Sequence, residues 1–190
     1  MKHVITCICF ILCFYVVPVA AAPEETGTPD MGRLLEGIEL KIPENPSHQT
    51  YLGVTGTGIF HVSQIKTQVV IIEIFNMYCP HCQRHAPSVN RLYKTINEGN
   101  LKDKIKVIGI AVGNSPYEVN YFKQTYSIPF PLFSDADWTI HNKLGQIKTP
   151  FFIALRISPD NTLHTVYSKP GGFDDPGRFL DMISKRSGLK

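Results

Sequence analysis

Residues 69–75 read VVIIEIF, an apolar, mostly β-branched run interrupted only by Glu73. A run without alternation predicts a strand buried on both faces, as in the middle of a sheet covered by helices. The period then changes. In HCQRHAPSVNRLYKTINE, Val89, Leu92, Tyr93 and Ile96 form one helical stripe, and Pro87 inside it is expected to kink the helix. KIKVIGIAV predicts a second buried strand. SPYEVNYFKQTY predicts a helix whose start is well marked: Ser115 as N-cap, Pro116 at the first helical position and Glu118 closing a capping box. FPLFSD predicts a short strand and ADWTIHNKLG a short helix ending at Gly145. PFFIALRI predicts a strand, SPDN a turn and LHTVYS a hairpin return, and DDPGRFLDMISKRS a closing helix with Pro176 near its start. Upstream, residues 38–66 hold short apolar spots separated by Pro and Gly and predict irregular strands or a hairpin. From residue 69 on, the order is β-α-β-α-β-α-β-β-α. It predicts an α/β sandwich with a mixed central sheet and helices on both faces.

The N-terminus has a different pattern. After Lys2 and His3, Val4 to Val17 is an apolar stretch, too short to span a bilayer comfortably but suited to the core of a signal peptide. Val19 and Ala21 fit the −3 and −1 positions of a cleavage site, which places the cut after Ala21; an uncleaved membrane anchor is the alternative. The expected organisation is a signal peptide over 1–21, a polar flexible leader over 22–37 and one domain over 38–190. Export, to a periplasm or a comparable compartment, is the expectation. With 190 residues, 43% hydrophobic, and a scattered formal net charge of +3, the chain can build a real core but has no basic run dense enough for nucleic acid.

The signal segment changes the cysteine arithmetic. Of five cysteines, Cys7, Cys9 and Cys13 lie inside it, leaving Cys79 and Cys82. Disulfides persist outside the cell, yet one pair is too few to staple a scaffold, so the pair points to reactivity. Cys79 stands where the central strand gives way to a helix. There the first backbone N–H groups and the helix dipole favour a thiolate, the species that attacks disulfides. Cys82 lies one turn further in, the more shielded and resolving thiol. His81 between them favours the ionised form of Cys79 as a cation or as a hydrogen-bond donor. A rival reading takes Cys79, Cys82, His85 and His81 as ligands of copper or zinc in a metal-delivery protein; outside the site, no second CxxC or HxxxH partner supports it. The PxxxTxxC pattern of a peroxidatic cysteine is absent.

EIFNMYCPHC resembles the active-site segment of the thioredoxin superfamily, and its Pro80-His81 dipeptide resembles that of DsbA-type disulfide oxidases. Glu73 stands where such proteins carry a buried carboxylate, and Pro87 matches their helix-kinking proline. GQIKTPFF resembles the loop whose cis-proline faces the dithiol, with Pro150 as that proline and Thr149 before it. FHVSQIKTQVVIIEIF and the stretch from DADWTIHNKLG to the GGFD segment are similar to TlpA/ResA-like proteins. Too few residues separate Cys82 from Pro150 for the helical insertion of a DsbA protein, so the active-site dipeptide is of one branch and the body of another. The resemblance implies a thioredoxin-like fold and a thiol-disulfide oxidoreductase without organic cofactor. Cys79 attacks, Cys82 resolves, Glu73 relays the proton, His81 tunes the thiolate, and Pro80, Thr149 and Pro150 dock the partner. The implied partners are cysteine-containing exported proteins, apocytochrome c among them, and a membrane redox partner. Reduction in cytochrome c maturation and disulfide formation are both open.

Overall fold

Every residue of the strand Val69–Phe75 is buried, and this strand is the middle of a five-stranded sheet. The computed structural model describes residues 30–189. In chain order the elements are α1 (Met31–Leu35), β1 (Glu39–Lys41), α2 (Pro46–Leu52), β2 (Ile59–His61), a 3-10 turn (Val62–Gln64), β3 (Val69–Phe75), α3 (Pro80–Glu98), β4 (Ile105–Val112), α4 (Pro116–Thr125), β5 (Leu132–Asp135), α5 (Thr139–Lys143), β6 (Phe151–Ile157), β7 (Leu163–Pro170) and α6 (Pro176–Ser187). The sheet order is β5-β4-β3-β6-β7. β3, β4 and β5 run parallel, and β6 and β7 antiparallel, so the sheet is mixed as the pattern predicts.

Alternate residues of β3 divide the core. Val70, Ile72 and Ile74 face a cluster with Leu35, Leu52, Ile140 and Leu144. Val69, Ile71 and Phe75 face another with Val89, Leu92, Phe122 and Ile183. Helices therefore cover both faces. Burying each such aliphatic side chain contributes about 1.5–3 kcal/mol before chain entropy is subtracted, so the sheet centre is the most secure frame for a reactive group. β5 pairs only with the second half of β4. Near the start of β4, the Tyr51 hydroxyl of α2 accepts the Val107 N–H at 2.7 Å, which covers the open edge.

Two expectations change. The leader over 22–37 does not extend to 37: Met31 and Leu35 of α1 are buried. The Gly32 N–H donates to Thr165 Oγ1 at 2.9 Å, and a Cβ at Gly32 would lie 2.3 Å from the Leu163 carbonyl oxygen. An apolar helix turn docked this closely on β7 belongs to the domain. Residues 1–29, with the expected signal peptide, lie outside the described residues. Within 38–66, β1 and β2 pair antiparallel as a hairpin reading expects, but α2 stands between them. Its ends carry ordinary helix signals, Asn45 accepting the Ser47 N–H, Pro46 in the first turn and Gly53 left-handed at the C-cap. Among the described residues no helix is long and apolar enough to cross a membrane.

Candidate active site

The turn between β3 and α3 is stapled from several sides. Asn76 Nδ2 donates to the Val112 carbonyl at 2.7 Å, and its Oδ1 accepts the Tyr78 N–H at 2.8 Å. The Cys79 N–H reaches the Asn76 carbonyl at 3.0 Å. Met77 is held at both ends: its N–H donates to Asn114 Oδ1 at 2.8 Å and its carbonyl accepts from Gln83 Nε2 at 2.8 Å. Tyr78 donates its hydroxyl to Glu118 Oε1 at 2.5 Å, the same carboxylate that closes the capping box of α4 with Ser115. The sequence points to Cys79, Cys82 and Glu73 but not to these supports. Asn76 carried a readable signal, an Asn following a strand at the mouth of a turn. Asn114 and Gln83 carried none, since their roles depend on partners brought near only by folding.

Cys79 is the N-cap of α3, with extended backbone. Its Sγ accepts the Cys82 N–H at 3.5 Å, and as a thiol it donates to the Thr149 carbonyl at 3.4 Å. Burial alone would push its pKa up. Hydrogen bonds from the Cys82 thiol and N–H, the Thr149 side chain and the His81 N–H outweigh burial and bring it below the ordinary thiol value. Cys82 is fully buried. Burial, its hydrogen bond to Cys79 and the charges of Glu73 and Cys79 push it well up, against a weaker contrary pull from the Asn76 backbone. The two thiols are unpaired and distinct: one half-buried and acidic, one buried and held protonated.

Glu73 shares its face of β3 with Val69, Ile71 and Phe75, the face covered by α3, and is 4% exposed. Burial first, and the Cys79 charge second, push its carboxyl up to about 8. A carboxyl in that range exchanges a proton readily near neutral pH. Pro150 is cis to Thr149 and buried, and its carbonyl accepts the Gly171 N–H at 2.8 Å, which ties this loop to the end of β7. Pro80 opens α3 beside Cys79. Cys79, Cys82, Pro80, Thr149 and Pro150 thus come together at one end of the sheet, with Glu73 beneath them.

His81 is exposed, and its ring Nδ1 lies 3.1 Å from Arg84 Nη2. A guanidinium can only donate, so this nitrogen is placed to accept from it. In this arrangement His81 favours the Cys79 thiolate through its backbone N–H, while its ring is turned towards Arg84. His85 Nε2 accepts the Phe173 N–H at 3.3 Å, and its ring packs edge-on against Phe152 and Phe173. The metal-ligand set of Cys79, Cys82, His81 and His85 is therefore not gathered, and among the described residues no group of three or more His, Cys, Asp or Glu could hold an ion. Both histidines are taken by protein neighbours, which corrects the metal-delivery reading. Beside the dithiol lies a cleft of about 450 Å3 whose lining includes His81, Arg84, Lys148, Thr149, Pro150 and Phe173.

Among curated sequences, the chain is similar to the thiol-disulfide oxidoreductase ResA of Geobacillus kaustophilus (strain HTA426), with 23% identity over 94 residues, 48% of this chain and 52% of that protein. The chain thus spans about half the length of this curated relative. Among solved structures, a secreted Mycobacterium tuberculosis disulfide oxidoreductase homologous to E. coli DsbE superposes with a TM-score of 0.57 at 15% identity, covering 80% of this chain and 98% of that one. A DsbE-type thiol:disulfide interchange protein of Chlorobium tepidum superposes with a TM-score of 0.57 at 13% identity, covering 80% and 96%. These superpositions identify the thioredoxin-like fold that the resemblance implies. The AhpC/TSA family pattern matches residues 46–166, more than half of the chain and a span from α2 through the dithiol to β7, so the chain belongs to the AhpC/TSA family.

Proposed function

We propose that this chain is an exported protein thiol-disulfide oxidoreductase. The observation that carries the reading is the contrast between Cys79, hydrogen-bonded into an acidic thiol at a helix start, and Cys82, buried and protonated one turn away. In the reducing direction the Cys79 thiolate attacks one sulfur of a partner disulfide and the other sulfur leaves as a thiolate. Cys82 then loses its proton to Glu73 and attacks the Cys79 sulfur. The partner's second sulfur leaves as a thiolate, both partner thiolates take up protons from water, and Cys79 and Cys82 end as a disulfide. Two electrons pass to the partner; the oxidising direction is the same path reversed. Thr149, cis-Pro150 and Pro80 flank Cys79 and dock the partner's backbone, and the His81 N–H helps hold the thiolate.

The partners are cysteine-containing exported proteins, with a membrane redox partner that resets the dithiol. Hydrogen bonds that favour the Cys79 thiolate favour the reduced form, which makes the disulfide more oxidising and supports disulfide formation. The likeness to ResA and to DsbE-type proteins supports reduction in cytochrome c maturation. The redox potential of the Cys79–Cys82 pair, measured against a glutathione series, separates them. A value near about −120 mV supports disulfide donation, and one near about −270 mV supports reduction. Replacing Cys79 by serine should abolish exchange with any small disulfide; undiminished turnover would discard the whole reading.

A further inference from the structure

The cleft beside the dithiol has a charge pattern that the exchange chemistry does not need. Arg84 and Lys148 are exposed on its lining, and among the described residues neither has a carboxylate partner; the single ion pair there is Lys94 with Glu98. Asp174 is the one acid on the lining, and its charge bears on His85. Arg84 meets the His81 ring nitrogen at 3.1 Å instead of a carboxylate. That contact orients the guanidinium and leaves its charge uncompensated, with further N–H donors free for a planar anion.

One residue joins the cleft to the reacting sulfur. Thr149, whose carbonyl touches Cys79 Sγ, also lines it, together with Pro150. A partner segment that lies against Thr149 and Pro150 with its cysteine at Cys79 runs along this wall, which brings neighbouring side chains within reach of the cleft. We propose that the cleft selects cysteine-bearing protein segments that carry a carboxylate close to the cysteine. Arg84 and Lys148 receive the carboxylate, and His81 acts as the positioning residue for Arg84. This assignment deepens the exchange function above and rests on it.

The test uses the reduced full chain and short peptides with one cysteine held as a mixed disulfide with 2-mercaptoethanol. The peptides are identical except for Asp or Lys at the positions flanking the cysteine. Uncharged hydroxyethyl disulfide serves as the reference for exchange itself. The Asp peptide should react roughly five- to tenfold faster than the Lys peptide at low salt, with the ratio shrinking towards unity near ~0.5 M salt as exposed pairs are screened. Replacing both Arg84→Glu and Lys148→Glu should invert the order. His81→Ala should narrow the ratio at fixed salt, and an unaltered ratio would remove His81 from the assignment. Equal rates for the two peptides, alongside normal consumption of hydroxyethyl disulfide, would overturn the cleft assignment and leave the exchange function standing. No reaction with any of the three would overturn the exchange function, and the cleft assignment with it.

Discussion

Asn114, two residues beyond the end of β4, holds the Met77 N–H through its Oδ1 at 2.8 Å and so ties the turn that presents Cys79 to the neighbouring parallel strand. Asn114 is fully buried. Replacing it with alanine leaves the Met77 N–H without its acceptor, a loss of about 1–3 kcal/mol. Asn114→Ala should lower the urea midpoint by a corresponding amount. Under conditions where the variant remains folded, exchange with a small disulfide should still slow, because the turn that aims Cys79 is loosened. A variant with lowered stability and undiminished exchange would show that Asn114 supports the fold alone.

The acidity of Cys79 depends on Cys82 as a hydrogen-bond donor. Burial pushes the Cys79 thiol up, and the bonds from Cys82, Thr149 and the His81 backbone overcome it. Removing one donor weakens the side of that balance that favours the charged form. Cys82→Ala should therefore raise the Cys79 pKa, seen as a shift of the thiolate ultraviolet absorbance to higher pH. Cys79→Ser should remove the low-pH thiolate transition entirely, since Cys82 is held protonated well above the ordinary thiol range. If the transition survives in Cys79→Ser, the assignment of attacking and resolving thiols is reversed.

Glu73 gives a pH signature of opposite sign to that of an ion-paired carboxylate. Its folded pKa is pushed up to about 8, by burial and then by the Cys79 charge, against about 4.3 in an unfolded chain. The unfolded chain releases this proton first. Stability from this group is therefore fully present below about pH 4.3 and is lost as pH rises to about 8, by an amount on the order of 3–5 kcal/mol. Glu73→Gln should flatten that decline, and the variant should be the more stable protein above about pH 8 in thermal unfolding followed across pH. The same change should slow resolution of the mixed disulfide by roughly 100-fold, because Cys82 loses its proton acceptor. Mass spectrometry of acid-quenched reactions should then show a partner bound to Cys79. Faster unfolding at alkaline pH in Glu73→Gln would contradict a buried carboxyl whose ionisation costs stability.

Much of this was legible in the chain because the signals are local. The β-branched run of β3, the Ser115–Glu118 capping box and the hairpin of β6 and β7 each lie within a few consecutive residues, and each is found where the pattern places it. The dithiol was legible for the same reason, since Cys79 and Cys82 stand together at a strand-to-helix boundary. What escaped depends on contacts across the chain. Asn114 matters through Met77, 37 residues away, and α1 is part of the domain because Gly32 allows it against β7. The His81 side chain reads as a thiolate partner in sequence, being next to both cysteines, yet the helical period turns its ring towards Arg84, three residues on. α2 escaped for another reason. Its seven residues are too few for an apolar stripe to show, although its caps are ordinary.

Gly172 and His85 form a steric pair that sets one wall of the cleft. A Cβ at Gly172 would lie 2.6–2.8 Å from three atoms of the His85 ring. That ring cannot swing aside freely, since it accepts the Phe173 N–H and packs edge-on against Phe152 and Phe173. Gly172→Ala should therefore force the ring or the loop to move, with a loss of about 1–3 kcal/mol typical of overpacking. His85→Ala should itself be destabilising, because it removes buried ring contacts and leaves the Phe173 N–H unpaired. The two losses share one cause of strain, so the double variant should be more stable than the sum of the single changes predicts, by about 1 kcal/mol or more in a urea double-mutant cycle. Strict additivity would show that Gly172 and His85 do not confine each other, and that this wall of the cleft is set elsewhere.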